Sequence, residues 1–189
     1  MEKKSNSRSS TSAYCYDVAL GGIITCLCMV CMFLTGVIPA LYLLLPMLCS
    51  GLIYIMVMET DNYWGWMTYV SVGLLSLIMT PNKDAALVFL LFFGYYPMLR
   101  RALQKIKIPL VPFILRWGVF NAAVFAFYYG SVYLLGAEEL VESLGEFGEH
   151  GAQIMWVICN IMFVSYDYLM GEFPELYTEY LKPRINPSK

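Results

Sequence analysis

Between Asp17 and Glu59 the chain has no charged residue, so residues 18 to 58 form an uninterrupted uncharged stretch of 41. A helix at the surface of a soluble protein needs a polar face for water, and no such face can be drawn through this stretch. Two spans of about 20 residues, each matching the hydrocarbon thickness of a bilayer, use it fully. The composition agrees: 14% of the 189 residues are charged and mean hydropathy is +0.62, where a soluble domain carries about 25% charge. The expected fold is all-α, an integral membrane bundle of six transmembrane helices with the N-terminus and C-terminus cytoplasmic.

Span one is expected from Val18 to Leu34, with Thr35, Gly36 and Pro39 breaking the helix because Gly is permissive and Pro lacks a backbone donor. Span two runs from Pro39 to Met58. Span three opens on Tyr63, Trp64 and Trp66, suited to an interfacial belt, and ends near Met79. Thr80-Pro81 reads as the start of span four, Thr as N-cap and Pro at the first helical position. Its apolar part, Ala85 to Leu99, is short, and Lys83 and Arg100 are expected to snorkel at its two ends. Span five covers Ile108 to Leu135. Span six covers Ala152 to Met170, closed by Gly171 and Pro174. The implied organisation is a polar cytoplasmic segment (1–17), a six-helix membrane domain (18–171) and a cytoplasmic tail with a short amphipathic helix (172–189).

Flanking charge sets the orientation. With the N-terminus inside, ten of the twelve basic residues are cytoplasmic: Lys3, Lys4, Arg8, Arg100, Arg101, Lys105, Lys107, Lys182, Arg184 and Lys189. Lys83 alone lies outside, and Arg116 falls within a span. That distribution follows the positive-inside rule. The apolar run after Arg8 is too long for a signal-peptide core, so span one is expected to be retained. Residues 137 to 150 alternate Glu138, Glu139, Glu142, Glu146 and Glu149 with Leu140, Val141, Leu144 and Phe147, giving an amphipathic helix on the outer side.

Signatures of soluble enzymes are missing. The sequence has no GxxxxGK[ST], HExxH or GxSxG, and its single histidine, His150, has no marked nucleophile to serve. No catalytic residue, metal ligand or cofactor is expected. Cys28 and Cys31 form a CxxC without His or carboxylate neighbours, which reads as packing rather than metal or redox chemistry. No basic patch is interleaved with aromatics, so nucleic acid is not an expected partner; the lipid bilayer is.

Ionisable groups inside spans are costly in hydrocarbon and need partners or water. Arg116 lies in span five and Asp167 in span six, both towards the inner end. They are expected to form an intramembrane ion pair, either fixing helix register or serving transport. Asn160 shares a face with Asp167, and Asn121 with Tyr128. Tyr128, Tyr129, Tyr133, Gln153, Trp156 and Asn160 map to the outer halves of spans five and six. Aromatic walls with a few hydrogen-bonding groups make a candidate substrate pocket; interhelical hydrogen bonding and an interfacial belt explain the same residues without a ligand.

Six spans in about 190 residues, an inside N-terminus, the run Ile38-Pro39-Ala40-Leu41-Tyr42-Leu43-Leu44-Leu45-Pro46 and the absence of a nucleotide motif resemble the substrate-binding S components of energy-coupling factor (ECF) transporters. The segment Phe92-Phe93-Gly94-Tyr95-Tyr96-Pro97, followed by Arg100 and Arg101, is similar to a motif of small bacterial membrane proteins related to that group. The resemblance covers residues 18 to 171 as a layout. It implies a bacterial subunit that captures a vitamin or micronutrient near the outer face and couples to a transmembrane partner and cytoplasmic ATPases. Such proteins dock through Ala-x-x-x-Ala in the first helix; the nearest match here is Gly22-x-x-x-Cys26, small at both positions. The contrasting expectation is a membrane scaffold or accessory protein without a small-molecule ligand.

Overall fold

The computed structural model describes residues 3–104, 106, 110–135 and 151–181. His150, the acidic segment 137–150 and the end of the tail from residue 182 lie outside the described residues. Among those described, every regular element is helical. The chain divides into two compact units, Met1–Leu99 and Arg100–Lys189.

In the first unit α1 spans Lys3–Val37, α2 Leu44–Glu59 and α3 Asn62–Met79, with a short 3-10 turn at Pro39–Leu41. Helix α1 therefore starts inside the polar leader. The three helices pack on one another in every pairing. Each contributes a stripe at i, i+4 spacing to the seam: Ile24, Cys28 and Met32; Cys49, Ile53 and Val57; Thr68, Val72 and Ser76, all buried. This spacing places residues on one helical face. Small residues let backbones approach where lipid supplies no hydrophobic drive. Cys28 and Cys49 show it: the Cys49 thiol lies 3.5 Å from the Cys28 carbonyl oxygen, and the Cys28 thiol 3.8 Å from that of Cys49. The opposite faces are apolar too. Ile78 is 80% exposed, and Ile23, Val30 and Leu74 are more than half exposed. Such a surface is unfavourable in water and suited to lipid. The buried hydroxyls of Thr35 and Ser76 bond within their own helix, Thr35 Oγ1 to the Met32 carbonyl at 2.6 Å and Ser76 Oγ to that of Gly73 at 2.9 Å, as hydroxyls in hydrocarbon must, whereas Thr80 Oγ1 and Asn62 Oδ1 are buried without a partner among the described residues.

Two expected boundaries move. Helix α1 continues through Thr35 and Gly36 to Val37. Gly36 serves a close approach instead of a break: a Cβ there would sit 2.6 Å from Pro81 Cβ. Thr80 closes α3, its N–H donating to the Ser76 carbonyl. The next helix, α4 (Lys83–Val88), is capped by Asn82, whose Oδ1 accepts from the Ala85 N–H at 3.1 Å. Asn is as good a cap as Thr, and capping from position 82 leaves Pro81 free to pack on Gly36. Lys83 turns back to the end of α3, donating to the Leu77 carbonyl at 2.7 Å, where the helix dipole and unpaired carbonyls favour a cation.

A π turn, Phe89–Phe93, joins α4 to α5 (Tyr96–Leu103). Pro97 has no N–H for the Phe93 carbonyl, so the α ladder cannot continue here. The Gly94 N–H bonds back to Phe89 at 2.7 Å, and the Tyr69 hydroxyl donates to the Leu90 carbonyl at 2.8 Å.

In the second unit α6 spans Leu110–Leu135 and α7 Gly151–Leu176, followed by a π turn at Tyr177–Leu181. The stop expected at Gly171 and Pro174 does not occur. Pro174 lies inside α7, where it deprives the Met170 carbonyl of its donor, and the Thr178 hydroxyl bonds the Pro174 carbonyl at 2.5 Å. The Thr178 bond is made one turn beyond the freed Met170 carbonyl and does not replace the donor lost there.

Among the described residues, four segments are long and apolar enough to cross a bilayer: Tyr14–Val37, Lys83–Leu103, Leu110–Gly130 and Gln153–Glu179. Helix α2, 16 residues, is about 24 Å long at 1.5 Å per residue, below the ~30 Å of hydrocarbon. Helix α3 has 18 residues, but its first half is weighted towards Tyr, Trp, Gly and Thr. Among the described residues the protein is all-helical, and these four segments have the length and apolarity of membrane spans.

Candidate functional site: a polar seam between two spans

Helices α6 and α7 are joined by side chains whose numbers rise on one helix as they fall on the other. Asn121 meets Trp156, Trp117 meets Asn160, and Arg116 meets Asp167, so the two run antiparallel. Large side chains make the joint. Phe120 stacks on buried Phe163 at a ring separation of 4.6 Å, an arrangement worth about 1 kcal/mol beyond area burial.

Above this stack lies a reciprocal clasp. Each helix carries Trp-x-x-x-Asn, as Trp117 and Asn121 on α6 and Trp156 and Asn160 on α7. Each indole N–H donates to the amide oxygen of the opposite Asn at 2.7 Å. Each Asn nitrogen donates to the carbonyl of its own helix's Trp at 2.9 Å, and Asn121 also reaches Asn160 at 3.4 Å. The i, i+4 spacing puts indole and amide on one face, and antiparallel pairing matches the two faces by a local two-fold relation. Both tryptophans remain about 40% exposed, so this polar joint sits at the surface of the helix pair.

Towards the other end, Asp167 is held by two guanidiniums. Arg116 Nη1 lies 2.7 Å from its Oδ1, and Arg100 Nη1 bonds the same oxygen and, at 2.6 Å, the Asp167 carbonyl. All three side chains are 11–12% exposed. Arg116 is oriented by its Nε, which donates to the Pro112 carbonyl one turn earlier at 3.0 Å. Arg100 stands on the last turn of α5. Its Nη2 lies beside Gly171, where a Cβ would come within 2.8 Å. Its Nε is buried without an acceptor. Among the described residues the cluster thus counts two cations against one anion.

The other expected site residues are dispersed. Tyr128 and Tyr129 touch edge to face at 5.7 Å and are exposed, as is Gln153; the Tyr133 side chain lies outside the described residues. Trp156 and Asn160 do come together, but within the clasp. Gly22 and Cys26 face outward on α1, with nothing within 4 Å of a Cβ at Gly22. Gly21 faces α2 instead, where an added Cβ would lie 3.4 Å from Met56 Cε. No group of three His, Cys, Asp or Glu that could hold a metal occurs among the described residues.

Arg100 and Trp117 are the residues that sequence reasoning did not assign to the site. The repeated Trp-x-x-x-Asn was a readable signal for Trp117. Arg100 had none, because a basic residue at a span end is equally at home in the interface.

No family model matches the chain, and neither a curated protein nor a solved structure is similar to it at a significant level.

Proposed function

We propose that the chain is a six-span protein of the cell membrane with both termini cytoplasmic, acting as the substrate-binding subunit of a bacterial small-molecule uptake system. A separate transmembrane subunit and cytoplasmic ATPases would supply the energy, and a vitamin or micronutrient is the class of cargo. The supporting observation is the Arg100–Asp167–Arg116 cluster. Ionisable groups at membrane depth are expensive and mark substrate or ion pathways by default. A single ion pair would suffice to pin two helices, and this cluster carries one guanidinium more. The exposed Tyr128 and Tyr129 on α6 add aromatic surface of the kind small-molecule sites use.

A second reading, a ligand-free scaffold, draws on the clasp, whose Trp and Asn side chains bond one another and need no ligand. Mass spectrometry of solutes retained by the protein purified in detergent, with its co-purifying chains, separates the two. Uptake predicts a stoichiometric vitamin-sized solute or an ATPase module. A preparation with neither, from cells grown in rich medium, would establish the scaffold.

A further inference from the structure

A guanidinium offers two edges to which an oxyanion can bind through paired N–H donors. In Arg100 the two edges are treated differently. Nη1 is committed to Asp167, through both its carboxylate and its carbonyl. The Nε–Nη2 edge has no acceptor among the described residues: Nε is buried and unpartnered, and Nη2 lies over Gly171, occupying the space that a Cβ would need. A buried donor without a partner costs about 1–3 kcal/mol, more when charged. The imbalance of charge acts in the same direction. Among the described residues Asp167 is the one carboxylate bonded to the two guanidiniums, so a second anion would balance the other. Arg116 does not share this feature, since its Nε is satisfied by Pro112.

We propose that the Nε–Nη2 edge of Arg100, beside Gly171, is a binding site for a phosphate oxyanion, either the phosphodiester of an anionic lipid headgroup or a free phosphate. The site lies at the end of α5, where Arg101 follows directly and Lys105 and Lys107 come soon after in sequence. Basic clusters at span ends attract anionic headgroups. The proposal rests on the chain being membrane-embedded and shares the Arg100–Asp167–Arg116 cluster with the uptake reading, but its test involves no transport or cargo.

The test uses full-length protein in nanodiscs of phosphatidylcholine, of phosphatidylcholine with phosphatidylglycerol, and of phosphatidylcholine with inorganic phosphate in the buffer, at one ionic strength set with chloride. The readout is the midpoint of thermal unfolding followed by tryptophan fluorescence. An upward shift with phosphatidylglycerol is expected in the wild type and in Arg101→Gln, and its loss in Arg100→Gln. A shift with inorganic phosphate as well identifies a free oxyanion site; a shift with phosphatidylglycerol alone identifies the headgroup. Asp167→Asn removes the internal anion, so its shift should exceed that of the wild type even though its starting midpoint is lower. A merely structural cluster would not produce that increase. The proposal fails if neither anion raises the midpoint. It fails equally if Arg101→Gln abolishes the shift as fully as Arg100→Gln, or if Asp167→Asn responds less than the wild type.

Discussion

Asp167 accepts from Arg100 and Arg116 at the same carboxylate oxygen, so the energetic weight of the three residues is unequal. Removing the carboxylate leaves two guanidiniums facing each other with little water. Removing one guanidinium leaves the other still paired. Breaking a buried pair by deleting one member costs about 3–5 kcal/mol, and Asp167→Ala should fall in that range, measured by reversible unfolding in detergent. Arg116→Ala should cost less than Asp167→Ala. The double variant should be milder than the sum of the two by roughly 0.5–3 kcal/mol, the usual coupling between residues in contact; strict additivity would mean that the contact carries no energy. Gly171 belongs to the same group of residues. A methyl group there would press on Arg100 Nη2, and Gly171→Ala should destabilise by about 1–3 kcal/mol, as overpacking does. In an Arg100→Ala background the cost should vanish, since the atom that is struck is gone and alanine favours the helix over glycine. Sequence alone suggested Arg116 with Asp167 because both interrupt apolar spans. It could not suggest Arg100 or explain Gly171, because the close approach of a side chain from another helix leaves no periodic trace.

The helices show which sequence signals survive in lipid and which do not. Apolar periodicity located all the long helices to within a few residues, apart from the polar leader that α1 absorbs. Stop signals learned from water failed at Gly171 and Pro174, where the helix runs on, whereas α1 ends at Val37, inside the break expected over Thr35 to Pro39. A helix in hydrocarbon has no water to satisfy a broken end, so the backbone keeps its ladder. At Pro97 a π turn precedes the proline, and Tyr69 bonds one of that turn's carbonyls. The clasp makes a prediction at this scale. Asn160 accepts from Trp117 and from Asn121, so Asn160→Leu strands two donors. It should loosen α6 from α7 by about 0.6–2 kcal/mol, the range for interhelical hydrogen bonds in membranes. Trp117→Phe should cost less, because one donor is lost and the ring remains. The rank order, read from unfolding midpoints, is the test; equal losses would assign the effect to packing instead of hydrogen bonding.

At the scale of the molecule, four segments among the described residues satisfy the length and apolarity of a span, whereas charge placement favours six. The two accounts agree on the termini. Crossing the bilayer four or six times returns the chain to the side from which it started, so a reporter at either end cannot separate them. They differ over α2 and α3. If both cross, the short connection around Asp61 between Glu59 and Asn62 is cytoplasmic. If neither crosses, α2, α3 and that connection remain on the outer side with the end of α1. The shortness of α2 is offset in the six-span account by the preceding turn at Pro39–Leu41 and by local bilayer thinning, which costs fractions of a kcal/mol per Å. The mutual packing of α1, α2 and α3 along apolar stripes, with apolar surfaces also facing outward, is the arrangement expected if all three are immersed together. The most direct measurement is therefore made at Asp61. A single cysteine placed there by Asp61→Cys in an otherwise cysteine-free chain is challenged in intact cells with a membrane-impermeant maleimide. The six-span account predicts no labelling until the inner face is opened. Full labelling from outside would contradict it.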